Sequence, residues 1–188
     1  YYNYGTHEKV DIIFDNEFIA ERSQVLPFVP DSLKINNEIN VGGSREESNF
    51  SSLTPSDQLA GFPGYPFSTI VKIILTFYSP TYGTYYESSC SGALINDNFV
   101  ITAGHCVTNP FTGDYTVSAT IIPEYNLGNS PFGSVDAISS YWFTQWSDNA
   151  NYNFDLALIE LSEDIGYETG WLGFGPVTSD GFLTATSN

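Results

Sequence analysis

The residues best suited to proton transfer in this chain are His105 and Asp155. His105 follows an apolar stretch that ends in two small residues, which let the backbone turn and place the imidazole at the surface, where it can act as a general base. Asp155 opens a second apolar stretch, and a carboxylate there must be solvated, hydrogen-bonded or paired. A carboxylate that accepts the Nδ1–H of a histidine meets that need and stabilises the imidazolium formed during catalysis.

Each of these residues also has a simpler interpretation. His105 could end a strand and hydrogen-bond locally, and Asp155 could cap a strand at the surface. Cys106, directly after the histidine, can pin that turn to Cys90 in the preceding strand. The two cysteines are ordinary thiols in a reducing cytosol and a disulfide pair in a secreted protein.

The elements that must position these residues are β-strands. We predict strands over residues 68–78, 91–95, 99–103, 115–122, 135–142 and 155–161. Because they recur at short intervals with Gly, Pro, Asn and Asp between them, the sequence predicts an all-β barrel or sandwich. Residues 1–64 lack this rhythm, apart from one short strand predicted at 10–14, and are interpreted as an extended N-terminal arm.

Composition excludes several classes of function. Five Lys and Arg against 22 Asp and Glu give a net charge of −17, and binding to nucleic acid or an anionic membrane needs a basic surface. No apolar run reaches about 18 residues, so we predict no membrane span.

The chain has no Met, which indicates that residue 1 is a processed or cut end and that the chain is a piece of a longer protein. A glycosylation sequon at Asn49 favours secretion.

Taken together, three segments resemble the first half of a trypsin-like serine protease: SGALI at 91–95, VITAGHC at 100–106 and DLALI at 155–159. The resemblance implies a trypsin-like antiparallel β-barrel, the N-terminal barrel of a double-barrel protease whose second barrel is largely missing. It also implies that His105 is the general base, that Asp155 orients it, and that a disulfide joins Cys90 to Cys106. No cofactor and no metal are expected.

Further segments are similar to those of secreted glutamyl endopeptidases. They lie at residues 65–67, 132–135, 161–166 and 170–175. Residues 39–45 are similar to the mature start of that branch, which implies a prosegment to about residue 40. We therefore expect an N-terminal arm at 1–64, a barrel with the start of the second barrel at 65–188, and a secreted, extracellular protein.

The nucleophile of the family is not found in this sequence. That serine lies in a G-x-S-G segment, and the serines after Asp155 are Ser162, Ser179 and Ser187, none of which has that context. Without a nucleophile there is no covalent acyl-enzyme, so we expect this chain alone to be inactive. The serine would come from the protein's own C-terminal half or from a second chain, and the substrate would be a protein or peptide.

A non-catalytic, protease-like extracellular binding or structural protein is the alternative. Tyr82, Tyr85, Tyr86, Trp142, Phe143 and Trp146 could form a surface for sugar or protein, although core and loop packing explain most of them. The acid pairs Glu46–Glu47 and Glu163–Asp164 could bind calcium but are better interpreted as solvated faces, since neither forms an EF-hand-like loop. We assign no role to His7.

Overall fold

The computed structural model describes residues 1–11, 25–33 and 64–174, most of which form a closed antiparallel β-barrel. Its six strands are β3 (Ile70–Ser79), β4 (Thr84–Leu94), β5 (Phe99–Thr102), β6 (Tyr115–Pro123), β7 (Val135–Trp142) and β8 (Ala157–Leu161). They are ordered β7-β6-β3-β4-β5-β8, and β8 pairs with β7 to close the barrel. The all-β barrel predicted from the strand pattern is therefore confirmed.

The barrel interior is filled by alternate side chains of its strands, as the two-residue period of a strand requires. On β3, Val71, Ile73 and Leu75 are at most 1% exposed. Val100 on β5 and Ile159 on β8 meet them in the same apolar cluster. Burying each such side chain stabilises the fold by about 1.5–3 kcal/mol, so the barrel is a firm support for the residues at its strand ends.

Part of the predicted N-terminal arm lies in the barrel sheet. A hairpin of β1 (Tyr2–Asn3) and β2 (Glu8–Lys9) pairs with β7, with Tyr2 opposite Ser140. The backbone N–H of Tyr4 donates to Ile138 O at 2.8 Å. Tyr2 and Tyr4 are only 5% and 7% exposed and belong to the core cluster. The first residues of the chain thus contribute to the same core as the six barrel strands.

Residues 25–33 form a second contact of the N-terminal region, with the residues that follow the barrel. Phe28 forms an antiparallel bridge with Trp171, and their rings stack at 4.4 Å. Val25 forms a second bridge with Phe174. The division at residue 64 and a prosegment to about residue 40 remain predictions.

Five of the six barrel strands differ from their predicted bounds, and β7 alone has the bounds predicted. β4 begins at Thr84, seven residues before the strand predicted at 91, and β8 begins at Ala157 rather than Asp155. A short strand was predicted at residues 10–14. Residues 10 and 11 are not in a strand, and residues 12–14 lie outside the described residues. The α-helices of the described part are α1 (Thr144–Asn149) and α2 (Gly166–Thr169), and neither is long or apolar enough to cross a membrane.

Candidate active site

His105 lies in a short 3-10 turn, Gly104–Cys106, directly beyond the end of β5. Ala103 keeps the extended backbone of the strand, and the N–H of Cys106 then donates to Ala103 O at 3.1 Å. The N–H of Val107 donates to Gly104 O at 3.0 Å and completes the turn. This turn leaves the His105 side chain 61% exposed while Gly104 and Cys106 on either side are buried.

Asp155 lies just before β8, at the end of a 3-10 turn formed by Tyr152–Phe154. Its backbone has φ −73° and ψ 64°, which is not the conformation of a strand. The backbone of Asp155 therefore lies outside the strand that begins at Ala157, and the Asp155 side chain is 18% exposed. Of the two interpretations of Asp155, the structure shows the one in which the carboxylate is paired.

The carboxylate of Asp155 contacts His105 through both of its oxygens. Oδ1 accepts the backbone N–H of His105 at 2.7 Å, and Oδ2 lies 2.8 Å from Nδ1 of the ring. Because a carboxylate accepts hydrogen bonds, this arrangement keeps the proton on Nδ1 and leaves Nε2 of the neutral ring as an acceptor. Within the described residues, Nε2 has no hydrogen-bond partner, so the pair can take a proton from an incoming hydroxyl.

A disulfide holds the histidine turn to the barrel. Cys90 on β4 and Cys106 are joined, with their Cα atoms 6.1 Å apart. Cys106 is 4% exposed and belongs to the core cluster. Because Cys106 follows His105 directly, the bond restrains the backbone of the histidine on its C-terminal side.

Two residues of the site were not identified from the sequence, Gly104 and Trp146. A Cβ on Gly104 would lie 2.8 Å from Cδ1 of Trp146 and 3.0 Å from Oδ1 of Asp155. A glycine is therefore needed where the histidine turn, the indole and the carboxylate meet. Trp146 is 2% exposed, so it is a packing residue, whereas Tyr82, Tyr85 and Phe143 are exposed. The sequence alone does not indicate which of these aromatic residues is buried.

Of the remaining candidates, those within the described residues make no hydrogen bond to His105 or Asp155, and the others lie outside the described residues. Asn49, Ser179, Ser187 and the Glu46–Glu47 pair belong to the second group. Ser162, Glu163 and Asp164 are exposed. His7 accepts or donates one hydrogen bond at Nδ1, 3.0 Å from the Tyr2 hydroxyl.

One group in the described part of the chain has the spacing of metal ligands: Cys90, His105 and Cys106. The sulfurs of Cys90 and Cys106 are bonded to each other in the disulfide. A metal would need them as thiolates, so this group does not have the chemistry of a metal site.

Comparison with known proteins gives matches over the barrel and the residues that follow it. The family model described as Trypsin matches residues 77–179, more than half of the chain. A glutamyl endopeptidase of Bacillus licheniformis is 36% identical over 115 residues, which is 61% of this chain and 33% of that protein. A protein of Bacillus subtilis named extracellular metalloprotease is 29% identical over 149 residues, which is 73% of this chain and 45% of that protein.

A solved structure described as Glu endopeptidase in complex with MPD is also similar. It is 27% identical, with a TM-score of 0.49, and the match covers 57% of this chain and 46% of that one. The chain therefore spans between a third and a half of the length of these proteins.

Proposed function

The chain belongs to the trypsin family, and we propose that it carries the general base and the orienting carboxylate of a serine endopeptidase. The observation that supports this most strongly is the pairing of Asp155 with both the backbone and the ring of exposed His105. Such a pair fixes the tautomer of the imidazole and leaves Nε2 open to a nucleophile.

In the proposed reaction, Nε2 of His105 takes the proton of a serine hydroxyl as that oxygen attacks the carbonyl carbon of a peptide bond. The resulting imidazolium is stabilised by Oδ2 of Asp155, 2.8 Å from Nδ1. His105 then gives the proton to the leaving amine, and the C–N bond breaks to leave an acyl-enzyme. Water then attacks the ester carbonyl as His105 accepts its proton, and the ester C–O bond breaks as His105 returns that proton to the serine oxygen, which releases the carboxylic acid product.

We place the serine outside the printed sequence, in the protein's own C-terminal half or on a second chain. No G-x-S-G segment follows Asp155 in the 188 residues. On this proposal the 188-residue chain alone does not hydrolyse peptides, because the nucleophile and the groups that stabilise the oxyanion belong to the part that we place outside it.

The substrate we propose is a protein or peptide cleaved after glutamate. The support is the relative from Bacillus licheniformis, whose name is glutamyl endopeptidase and which is 36% identical over the matched residues. A series of peptides that differ in the residue before the scissile bond tests this part independently of the catalytic role of His105.

We propose that the protein acts outside the cell. The Cys90–Cys106 disulfide supports this, because such bonds persist in oxidising compartments. Glycosylation at Asn49 belongs to the same proposal, and removal of N-linked sugars from the secreted protein, followed by mass spectrometry of the peptide that contains Asn49, tests it.

Labelling with a fluorophosphonate, which reacts with an activated serine, tests the catalytic proposal. The whole native protein that contains this chain is labelled, and the modified serine is located by mass spectrometry. We expect one labelled serine in a G-x-S-G segment, and labelling at least about 10³-fold slower in His105→Ala. His7→Ala is the matched control and should label at the unmodified rate. Absence of any labelled serine in the whole protein would overturn the proposal.

A non-catalytic binding role is the second candidate, and it is favoured by exposed aromatic side chains at the β3–β4 hairpin. Tyr82 and Tyr85 there are 81% and 65% exposed. Interaction surfaces often contain clusters of exposed apolar and aromatic side chains. A labelled serine whose reaction depends on His105 would exclude this candidate as the main function.

A further inference from the structure

We propose that Trp146 is a positioning residue for the His105–Asp155 pair, because its indole contacts both of the turns that carry the pair. Trp146 lies on α1 and is 2% exposed. This inference rests on the proposed function, in which the relative position of the imidazole and the carboxylate matters for proton transfer.

On the histidine side, the indole contacts the chain before and after His105. A Cβ on Gly104 would lie 2.8 Å from Cδ1 and 3.1 Å from Nε1 of Trp146, so the ring lies directly against the Gly104 backbone. The indole Nε1–H donates to Thr108 O at 3.0 Å. Gly104 precedes His105 and Thr108 follows it by three residues, so one side chain contacts the chain on both sides of His105.

On the carboxylate side, the same indole packs against the turn that precedes Asp155. Its ring centroid lies 5.6 Å from that of Tyr152, the first residue of that turn. Oδ1 of Asp155 lies 3.0 Å from the point at which a Gly104 Cβ would stand. The indole edge and the carboxylate oxygen therefore lie beside the same glycine, in the space that a Cβ there would enter.

The hydrogen bond to Thr108 makes the indole hard to replace by another apolar ring. A buried N–H needs a partner, and a buried carbonyl that loses one is destabilised. Phenylalanine at this position would fill most of the space but leave Thr108 O without the indole donor. The chain that follows His105 would then lose one of its restraints, and small displacements of catalytic groups have large effects on rate.

The tautomer of His105 provides the test, since a purely structural role of Trp146 would not alter it. Long-range ¹H–¹⁵N spectra read the tautomer from carbon-bound ring protons, at a pH where the ring is neutral. In the unmodified protein we expect the Nδ1–H form to dominate, held by Asp155. In Trp146→Phe we expect a mixture in which the Nδ1–H form has lost its dominance. Trp142→Phe is the matched control, and its His105 signals should be those of the unmodified protein. The signals of His7 should be unchanged in Trp146→Phe.

A second variant keeps the proposal testable if Trp146→Phe does not fold. Gly104→Ala retains the indole but places a methyl group 2.8 Å from Cδ1, which must displace either the ring or the carboxylate. We expect the same loss of the Nδ1–H form. A folded Trp146→Phe or Gly104→Ala protein with the unmodified tautomer would overturn the inference.

The two levels of the proposal fail differently. If the unmodified protein itself lacks a dominant Nδ1–H tautomer, the His105–Asp155 pair is not formed and the proposed function fails. If the unmodified protein has it and Trp146→Phe keeps it, only the positioning role of Trp146 is wrong.

Discussion

Asp155 accepts two hydrogen bonds from one residue, the backbone N–H of His105 at 2.7 Å and the ring Nδ1 at 2.8 Å. The first bond fixes the carboxylate relative to the main chain of the histidine turn. The second fixes the plane of the imidazole relative to the carboxylate. Both bonds come from a 3-10 turn that starts where β5 ends, so the barrel, rather than a flexible loop, sets the geometry of the pair.

Asp155→Asn should disrupt this arrangement without changing the size of the side chain. An amide Nδ2 facing the ring would donate to Nδ1 and thereby favour the tautomer in which Nε2 carries the proton and cannot act as a base. We expect kcat/KM for peptide hydrolysis by the whole protein to fall by about 10⁴-fold. Asp148→Asn, a change at an exposed carboxylate on α1, is the control. A loss of less than about tenfold in Asp155→Asn would contradict the orienting role.

Removing the disulfide should destabilise the barrel. The two cysteines are 16 positions apart, and closing a loop of this length is worth about 3 kcal/mol in the chain-entropy model. We expect Cys90→Ser/Cys106→Ser to lose about that much free energy of unfolding, measured with urea under oxidising conditions. With a thiol reductant present, the unmodified protein should unfold at nearly the same urea concentration as the variant. A gap of similar size in both conditions would mean that the bond is not the cause.

The N-terminal hairpin should be part of the stable fold. Tyr4 is 7% exposed in the core, and deleting a buried aromatic ring costs about 3–5 kcal/mol. At about 2–4 °C per kcal/mol for a chain of this size, Tyr4→Ala should therefore lower Tm by about 6–20 °C. Tyr82→Ala removes a ring that is 81% exposed and should leave Tm nearly unchanged. Equal Tm values for the two variants would show that the hairpin does not contribute to the core.

Tyr141 should make the barrel sensitive to alkali. Burial, together with the hydrogen bond and negative charge of Glu160, raises the pKa of Tyr141 to about 12. The unfolded chain ionises this group near pH 10, so the contribution of Tyr141 is present below about pH 10 and is lost as the pH rises towards 12. We expect Tyr141→Phe to lose less stability than the unmodified protein between pH 9.5 and about 11.5, measured by urea unfolding.

Glu160→Gln supplies the control for Tyr141. This substitution removes the negative charge beside Tyr141 and should lower the pKa of Tyr141. The variant should then lose less stability than the unmodified protein over the same pH range. If Tyr141→Phe and the unmodified protein have parallel stability curves above pH 10, Tyr141 is not the group responsible.

The strands could be predicted from the sequence because their signals are local, whereas the pairing of His105 with Asp155, 50 positions later, was implied only by the resemblance of three segments to a protease family. The β-branched and aromatic residues of 70–79 indicate a strand, and the small residues before His105 indicate a turn at the end of β5. The first seven residues of β4 were missed for the same reason. Residues 84–89 are exposed, so no alternation of apolar and polar side chains marks them as a strand.

The contacts made by Trp146 and by Tyr4 could not be predicted, because they depend on which distant segments meet in space. Trp146 reaches Thr108, 38 positions earlier, and Tyr4 hydrogen-bonds to Ile138 across the barrel. Gly104 resembles any other small residue before the histidine until the indole and carboxylate beside it are known. Asp155 was expected to open a strand, but its backbone turns the carboxylate towards His105 two residues before β8 begins.

The most direct test of the central claim is the rate of peptide hydrolysis by the whole protein with and without the imidazole of His105. If His105 is the general base, His105→Ala should lower kcat/KM by at least about 10⁴-fold while the folded structure and the disulfide remain. A whole protein in which His105→Ala keeps a rate within a few-fold of the unmodified one would contradict the account.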